Sequence, residues 1–548
     1  MNTQLRYPVA VALMLSALTS VAVEKELKVT HSYLNIPVSH KCDRQKMVVK
    51  VKGMEDMPFV VRITDGKPDY WVFRDVSALK GKTMIFTSEK EVPGLDKVYF
   101  SDRIADADSL YSETNRPQYH FTTRCGWIND PNGLVWDNGK YHLFYQHNPY
   151  ERDWENMHWG HAVSSDLLHW EELPDALYPD TIGTMFSGSA VIDHNNTSGF
   201  GKNGIAPFVV AYTAETGERQ VQCIAYSLDG GNTFTKYDKN PVINSNEIWN
   251  SRDTRDPRLF WYKDHWVMAL NERDGHSIYT SDNLRDWKFQ SHTPGFWECP
   301  DMFELAVDGN PDNKLWVMYG ASGTYMLGHF DGYKFTPVSG KHRFARGSIY
   351  AAQTYNNIPA SDGRRIMIGW GRLSHPGMHF NGMMLLPTEL SLRTTKDGPR
   401  LVSVPVREID TICHEAGKWT NLNQKQADEV MKKFAGSDCL RIKTIIKLSH
   451  ATDAYLSYGG QRLLNYDMNG NTVNDEFYSP QDPTSMEITA DIFIDRTSVE
   501  VFIDGGLYSY SMGRKLDYKS TPEFVFGGNN ITIKNLEVYT VDSVWNKK

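Results

Sequence analysis

Cysteine is scarce in this chain. Six occur in 548 residues, at Cys42, Cys125, Cys223, Cys299, Cys413 and Cys439, with no C-x-x-C pair and no histidine cluster beside them. That argues against a zinc site or a disulfide scaffold. One bridge, such as Cys413–Cys439, is left open, but free buried thiols are the expectation. Positive charge is also short: 58 Lys+Arg against 67 Asp+Glu gives a formal net charge of −9. No basic footprint for nucleic acid or an anionic lipid surface follows from that balance, and a neutral substrate fits better. Beyond the first residues no apolar run is long enough to span a bilayer. Helical periodicity is scarce too, apart from a short stretch at 424–434. Nothing calls for a metal or another cofactor.

Aromatic residues, by contrast, are abundant: 15 Trp and 28 Tyr, with aromatics at 12% of the chain. They serve equally as filler in β-rich cores and as flat platforms under sugar rings. The length implies two to four domains. Arg6 precedes an apolar run over 9–18, and Ser20-Val21-Ala22 offers small residues for cleavage. Residues 1–22 therefore read as a signal peptide, and no cysteine near the cleavage point suggests a lipid anchor. A secreted or periplasmic protein is expected.

The rhythm of the chain predicts an all-β protein in three parts. Over 23–115, β-branched runs such as Met47-Val48-Val49-Lys50-Val51 and Phe59-Val60-Val61-Arg62-Ile63 are followed by turn signals such as Thr64-Asp65-Gly66-Lys67-Pro68. They predict a small N-terminal β-sandwich-like module. Over 116–412 a loose repeat recurs: Ser165-Asp166-Leu167-Leu168-His169-Trp170, Ser227-Leu228-Asp229-Gly230-Gly231-Asn232-Thr233-Phe234, and Ser281-Asp282-Asn283-Leu284-Arg285-Asp286-Trp287, with a fainter copy at Phe330-Asp331-Gly332-Tyr333-Lys334-Phe335. The spacing suits one four-stranded propeller blade per copy. In each, a Ser/Asp turn leads to an aromatic that could wedge between blades. Over 413–548, alternating strands around Asp495-Arg496-Thr497 and a strand-rich tail predict a C-terminal β-sandwich.

Three carboxylates stand in unusual settings. Asp130 lies within Trp127-Ile128-Asn129-Asp130-Pro131-Asn132-Gly133, where Pro and Gly predict a turn just before a strand at 140–146. Asp256 lies in Arg255-Asp256-Pro257, and Glu298 in Trp297-Glu298-Cys299-Pro300-Asp301. Each alone is unremarkable: a good turn, an ion pair, a solvated Glu. Together they supply what a glycosidase needs, one ionised carboxylate at the anomeric carbon and one carboxylic acid near the leaving oxygen. An apolar neighbour such as Trp297 disfavours the charged form and suits Glu298 to the acid role, while the amide of Asn129 suits Asp130 to stay ionised.

These motifs, with Tyr141-His142-Leu143-Phe144-Tyr145-Gln146, Trp159-Gly160-His161-Ala162-Val163-Ser164, Phe186-Ser187-Gly188-Ser189-Ala190 and the Asp495-Arg496-Thr497-Ser498-Val499-Glu500-Val501-Phe502 segment, run in an order that resembles glycoside hydrolase family 32. This is the family of invertases, inulinases and levanases. The resemblance covers about residues 118–545; the N-terminal module departs from the minimal family plan. It implies a five-bladed β-propeller whose funnel holds a furanose ring, followed by a β-sandwich. It also implies a retaining β-fructofuranosidase acting on levan, inulin, fructo-oligosaccharides or sucrose, with Asp130 as nucleophile, Glu298 as acid and then base, and Asp256 holding fructose hydroxyls. Cys299 would tune Glu298. By the same carry-over Asn129, Gln146, Trp154, Phe186, Ser187, Arg255 and Trp370 would contact sugar. Amides, a hydroxyl and a guanidinium suit a hydroxyl-rich ring between apolar walls. Blade packing is the competing role for Trp154 and Trp370, and bonding to backbone that for Gln146.

Endo-acting cleavage and fructosyl transfer fit the same motifs. A fructan-binding protein with a dead site would lack one of the three carboxylates, and all are present. Propeller enzymes acting on arabinose polymers lack the Asn-Asp-Pro-Asn-Gly and Glu-Cys pairings found here.

Overall fold

A computed structural model describes residues 23–244, 246–449, 453–478, 484–515 and 520–545. The segment read as a signal peptide, 1–22, lies outside the described residues. The all-β expectation holds: short strands dominate from Val23–Lys28 to Ile531–Val541. Their burial alternates with the period of two that places successive side chains on opposite faces. In Gln45–Val51, for example, Met47, Val49 and Val51 are buried and Lys46 and Lys50 face solvent. Among the described residues the α-helices are Asn246–Trp249 and Gln424–Met431. The second starts in a capping box, Asn423 accepting from the Gln426 amide and Gln426 from that of Asn423, as a short isolated helix requires. No helix among the described residues is long and apolar enough to cross a membrane.

Over the N-terminal region the strands form a four-stranded sheet (Val23–Lys28, Thr83–Ser88, Gln45–Val51, Met57–Val61) and a three-stranded sheet (Tyr70–Asp75, Tyr33–Val38, Tyr99–Ser101). They share an apolar core containing Ile36, Val49, Val72 and Phe86. Over the C-terminal region a seven-stranded and a five-stranded sheet enclose Ile442, Leu456, Ile492, Val501 and Phe526.

Between them lie antiparallel groups of four strands. One runs Gly126–Asp137, Lys140–Asn148, His158–Ser164, Glu171–Leu177; the next Thr184–Ile192, Phe208–Glu215, Gln220–Ser227, Thr235–Lys236; the next Thr254–Tyr262, His265–Glu272, Gly275–Ser281, Lys288–Pro294. From Asp301 to Pro405 ten strands join one sheet, because Val307 pairs in parallel with Leu392, while Ala345–Gly347 pairs with Tyr508–Gly513 of the seven-stranded sheet and Phe380–Asn381 with Gly126–Asp137 of the first group. The Ser/Asp repeat closes the third strand of successive groups. Asp166 accepts from Leu168 N and His169 N at 3.0 and 2.8 Å, Asp229 from Thr233 N at 2.9 Å, and Asn283 from Arg285 N and Asp286 N, both at 2.9 Å. Such side-chain turns release the backbone from the ladder. The aromatic that follows packs inward; Phe234 meets both Phe144 and Phe208, which belong to neighbouring groups.

The first strands of these groups are fastened by buried polar side chains. Ser189 Oγ donates to Pro257 O and accepts from Leu259 N (2.7 and 2.8 Å); Asn356 Nδ2 donates to Ala190 O and Leu259 O (2.7 and 2.9 Å). Gln353 donates to Gly188 O and accepts from Leu134 N, both at 3.0 Å. Arg258 Nε lies 2.8 Å from Asp301 Oδ1, with both side chains 1% exposed. Losing one member of such a buried pair costs about 3–5 kcal/mol, so these strands are held in one mutual arrangement. The C-terminal sheets are tied on through His120, whose ring nitrogens lie 2.7 Å from Asp495 and 2.7 Å from Glu500. Both carboxylates come from the 495–502 motif. All six cysteines are free thiols, so Cys413 and Cys439 form no bridge.

Candidate active site

Where the sequence predicts a turn around Asn129-Asp130-Pro131-Asn132-Gly133, the backbone instead continues as the strand Gly126–Asp137 and turns at Asn138-Gly139. The proline and the glycine (φ +55°) are absorbed by breaks in register between Ile128 and Pro131 and between Asn132 and Val135. A break of this kind unpairs residues and re-aims their side chains. It recurs in three other first strands: between Met185 and Gly188, between Arg255 and Arg258, and between Tyr350 and Gln353. The residues so released include Asn129, Asp130, Phe186, Ser187 and Asp256. Asp256 (φ +65°), Glu298 (φ +53°) and Cys299 (φ +39°) have left-handed backbones. For residues other than glycine that conformation is strained by about 1–3 kcal/mol, and it clusters at functional sites.

The three carboxylates converge. Asp130 accepts from Ser187 Oγ at 2.7 Å and from Asn129 Nδ2 at 3.1 Å. Asp256 accepts from the Cys299 amide at 2.9 Å, while its own amide donates to Thr213 Oγ1 at 2.9 Å. Glu298 accepts from Arg255 Nη2 at 2.7 Å and from Tyr350 Oη at 2.5 Å, and its amide donates to Asn271 Oδ1 at 2.8 Å. The Cys299 thiol lies 3.6 Å from Asp130 Oδ2 and 3.5 Å from Asp256 Oδ2. Cys299 thus bridges the two aspartates and is not the partner of the Glu298 carboxylate. The apolar setting expected of Trp297 also differs: the residue is 43% exposed and its ring lies 4.9 Å from the Arg255 guanidinium. The Glu298 carboxylate is defined by an arginine and a tyrosine.

Burial dominates the electrostatics. It pushes Asp130 upward against the bonds from Ser187 and Asn129. Asp256 is pushed up to about 7 by burial; Arg255 opposes this, and the charges of Glu298 and Asp130 add to it. Burial, then the charges of Asp256 and Asp130, keep the Cys299 thiol well above its ordinary value. Burial and the bond to Glu298 likewise raise Tyr350, so its hydroxyl is a donor.

All ten residues expected from the sequence line one cavity of about 650 Å³. Asp130, Asp256 and Glu298 are joined there by Asn129, Gln146, Trp154, Phe186, Ser187, Arg255 and Trp370. Trp154 stands half exposed, its ring 5.9 Å from Phe186 and nearly perpendicular to it. Trp370 meets Trp127 edge to face at 5.8 Å. Gln146 donates to Met185 O at 2.8 Å, so it bonds backbone as well as facing the cavity. Among the described residues no group of three or more His, Cys, Asp and Glu side chains is arranged to hold a metal ion.

Known proteins share this arrangement of strands and motifs. Residues 120–405 match the model of the glycosyl hydrolases family 32 N-terminal domain. A levanase of Bacillus subtilis is 38% identical over 501 residues, 81% of this chain and 73% of the relative. An extracellular exo-inulinase of Aspergillus niger is 33% identical over 521 residues, 80% of this chain and 96% of the relative. This chain belongs to glycoside hydrolase family 32. Among solved structures, the exo-inulinase of Aspergillus awamori aligns with a TM-score of 0.69 at 29% identity, covering 79% of this chain and 100% of that one. The protein is accordingly a glycoside hydrolase.

The family 32 cavity also holds residues that the sequence motifs did not single out: Tyr350, Gln220, Asp253, Glu215, Gly217 and Arg252. Gln220 Oε1 and Asp253 Oδ1 accept from Arg255 Nη1 at 3.2 and 2.9 Å and fix its fork toward Glu298. Tyr350 sits in Ser348-Ile349-Tyr350-Ala351-Ala352, a run with no turn or charge signal. Only the register break reveals it.

Proposed function

We propose that this enzyme is a retaining β-fructofuranosidase that releases fructose from fructans, fructo-oligosaccharides or sucrose. What supports the reading is the convergence of Asp130, Asp256 and Glu298 on one cavity, linked through Cys299 and Arg255. The names of the levanase and exo-inulinase relatives point to the same substrates.

In the first step Asp130 attacks the anomeric carbon as the bond to the leaving oxygen breaks, and Glu298 gives that oxygen its proton. A fructosyl ester on Asp130 and a free sugar result. In the second step Glu298 takes a proton from water, the water oxygen bonds to the anomeric carbon, and Asp130 leaves as a carboxylate. The Asp130 and Glu298 carboxyl groups should lie about 5–5.5 Å apart, too close for an intervening water. Asp256 holds fructose hydroxyls through the oxocarbenium-like transition state. Asn129, Gln146, Ser187 and Arg255 supply directional bonds; Trp154, Phe186 and Trp370 supply walls.

In this reading residues 116–412 are a five-bladed propeller. The ten-stranded sheet comprises two blades that touch through the Val307–Leu392 pair. A sandwich at 413–548 follows it and a module at 23–115 precedes it, in a secreted or periplasmic protein whose first 22 residues are removed. Action is from the chain end, as in the exo-inulinase relatives. Chromatography of products over time from levan, inulin and sucrose tests this: free fructose alone supports exo action, an early ladder of oligomers means endo action, and transfer products at high sucrose mean a transferase.

A further inference from the structure

The loop between Asn148 and His158 carries Trp154 at the rim of the cavity, and its side chains on either side of that ring are held by the N-terminal module. Arg62 Nη1 donates to Glu151 Oε2 at 2.7 Å and to Asp153 Oδ2 at 2.8 Å. Arg44 reaches Glu151 at 3.2 Å and Glu155 at 3.1 Å. Asn156 pairs with the edge strand Met57–Val61 as a further strand would, accepting from Val60 N at 2.7 Å and donating to Val60 O at 2.8 Å. The Arg152 amide donates to Tyr70 Oη at 3.2 Å. Outside the module the loop is tied at Arg152, whose carbonyl accepts from Asn381 Nδ2 at 3.1 Å and whose Nη2 donates to His375 O at 2.8 Å. Within the loop, Asn148 Nδ2 donates to Asp153 O at 2.8 Å and Asn148 Oδ1 accepts from Tyr150 N at 3.1 Å and Asn156 Nδ2 at 3.0 Å. The carboxylates beside Trp154 are held by the module's two arginines. Without the two arginines, Glu151, Asp153 and Glu155 would crowd three like charges around Trp154. Glu151 is fully buried, so its charge depends on them.

We infer that the N-terminal module is a clamp that sets the position of Trp154 in the substrate cavity, with Arg62 as its principal positioning residue. The inference rests on the proposed reading of Trp154 as a sugar-contacting wall. Both bonds run from the single nitrogen Nη1, which a lysine ammonium, strongly hydrated and on a flexible stem, would hold less firmly between the two carboxylates. Trp154 stands half exposed against Phe186 and has no part in the proposed bond-making steps, so its misplacement weakens binding and spares the chemical step.

Steady-state kinetics on sucrose and inulin with the full chain test this. Arg62→Ala should raise KM about 10-fold with kcat changed less than about twofold, and Arg62→Lys should recover part of the loss. In a Trp154→Ala background Arg62→Ala should add nothing, because its effect passes through that ring. Penalties that multiply, an unchanged KM, or equal losses in kcat and KM would overturn the clamp. Acrylamide quenching gives a readout independent of turnover: Arg62→Lys should make the fluorescence contributed by Trp154, taken as the difference from Trp154→Ala, more quenchable. Equal quenching would overturn the clamp even if Arg62→Ala does not fold. Absence of turnover in the unaltered enzyme would instead strike the proposed function alone.

Discussion

Tyr350 donates its hydroxyl to Glu298 Oε2 at 2.5 Å, across 52 residues of chain. With Arg255 on the other oxygen, it fixes the rotation of the carboxyl that is proposed to move the proton. Tyr350→Phe keeps the ring and deletes that bond. The expected result is a fall in kcat of about 10- to 100-fold with KM little changed, measured by initial rates on sucrose or inulin. A variant with an unaltered kcat would remove Tyr350 from the machinery.

Asp256 illustrates a site that opposes its own stability. Its folded pKa, pushed up to about 7 by burial, lies above the ordinary value of 3.8. A raised folded pKa means a contribution that is complete below the unfolded value and lost as pH rises through the folded one. At pH 8 the ionised group is therefore a burden. Asp256→Asn should be more stable than the unaltered protein at pH 8, by about 1–3 kcal/mol, and should show little gain at pH 4. Thermal unfolding at the two pH values checks this. The same variant should lose both turnover and binding, because hydroxyl contacts exist before and during the chemistry.

His120 gives the opposite lesson, a buried charge that holds the molecule together. Burial works against its protonation, but the bonds to Asp495 and Glu500 override it and hold the imidazole up to about 9. Above its unfolded value of 6.5 the contribution declines, and it is gone once pH passes about 9. Denaturation should show stability falling over that window. His120→Ala should lose about 3–5 kcal/mol at pH 6 and show a flatter dependence there. Equal stability of the two proteins at pH 6 would refute this.

Much of the site was legible in the sequence because its chemistry sits in motifs with unusual residues. Asp-Pro, Arg-Asp-Pro and Glu-Cys-Pro announce bends where a side chain leaves a strand, and the three carboxylates they carry share one cavity with the seven residues that the family resemblance implied. The Ser/Asp repeat was visible because side-chain turns need those residue types. What escaped was set by register and by contacts remote in sequence. Tyr350 lies in an ordinary strand run, and the roles of Cys299 and Trp297 depended on which neighbour the left-handed backbone at 298 and 299 would bring near. The turn expected at Asn132-Gly133 failed because a strand can absorb proline and glycine at a bulge. The joining of strands across 301–405 into one sheet rests on a single pair, Val307 with Leu392, which no local pattern encodes.

Cys299 should be chemically inert despite its place between two aspartates. Burial and the two neighbouring charges suppress the thiolate, which is the reactive form. Iodoacetamide at pH 8 should leave Cys299 unmodified in the folded protein, as read by peptide mapping, and should label it after denaturation. Rapid alkylation of the native enzyme would contradict the electrostatic picture of the site.

The proposed chemistry turns on Asp130 forming the bond to fructose. Glu298→Gln, incubated with a fructoside whose leaving group departs without acid assistance and then quenched, should carry one fructosyl unit on the peptide containing Asp130, found by mass spectrometry. Asp130→Asn treated identically should carry none. A fructosyl unit on another residue, or turnover by Asp130→Asn at the rate of the unaltered enzyme, would contradict it.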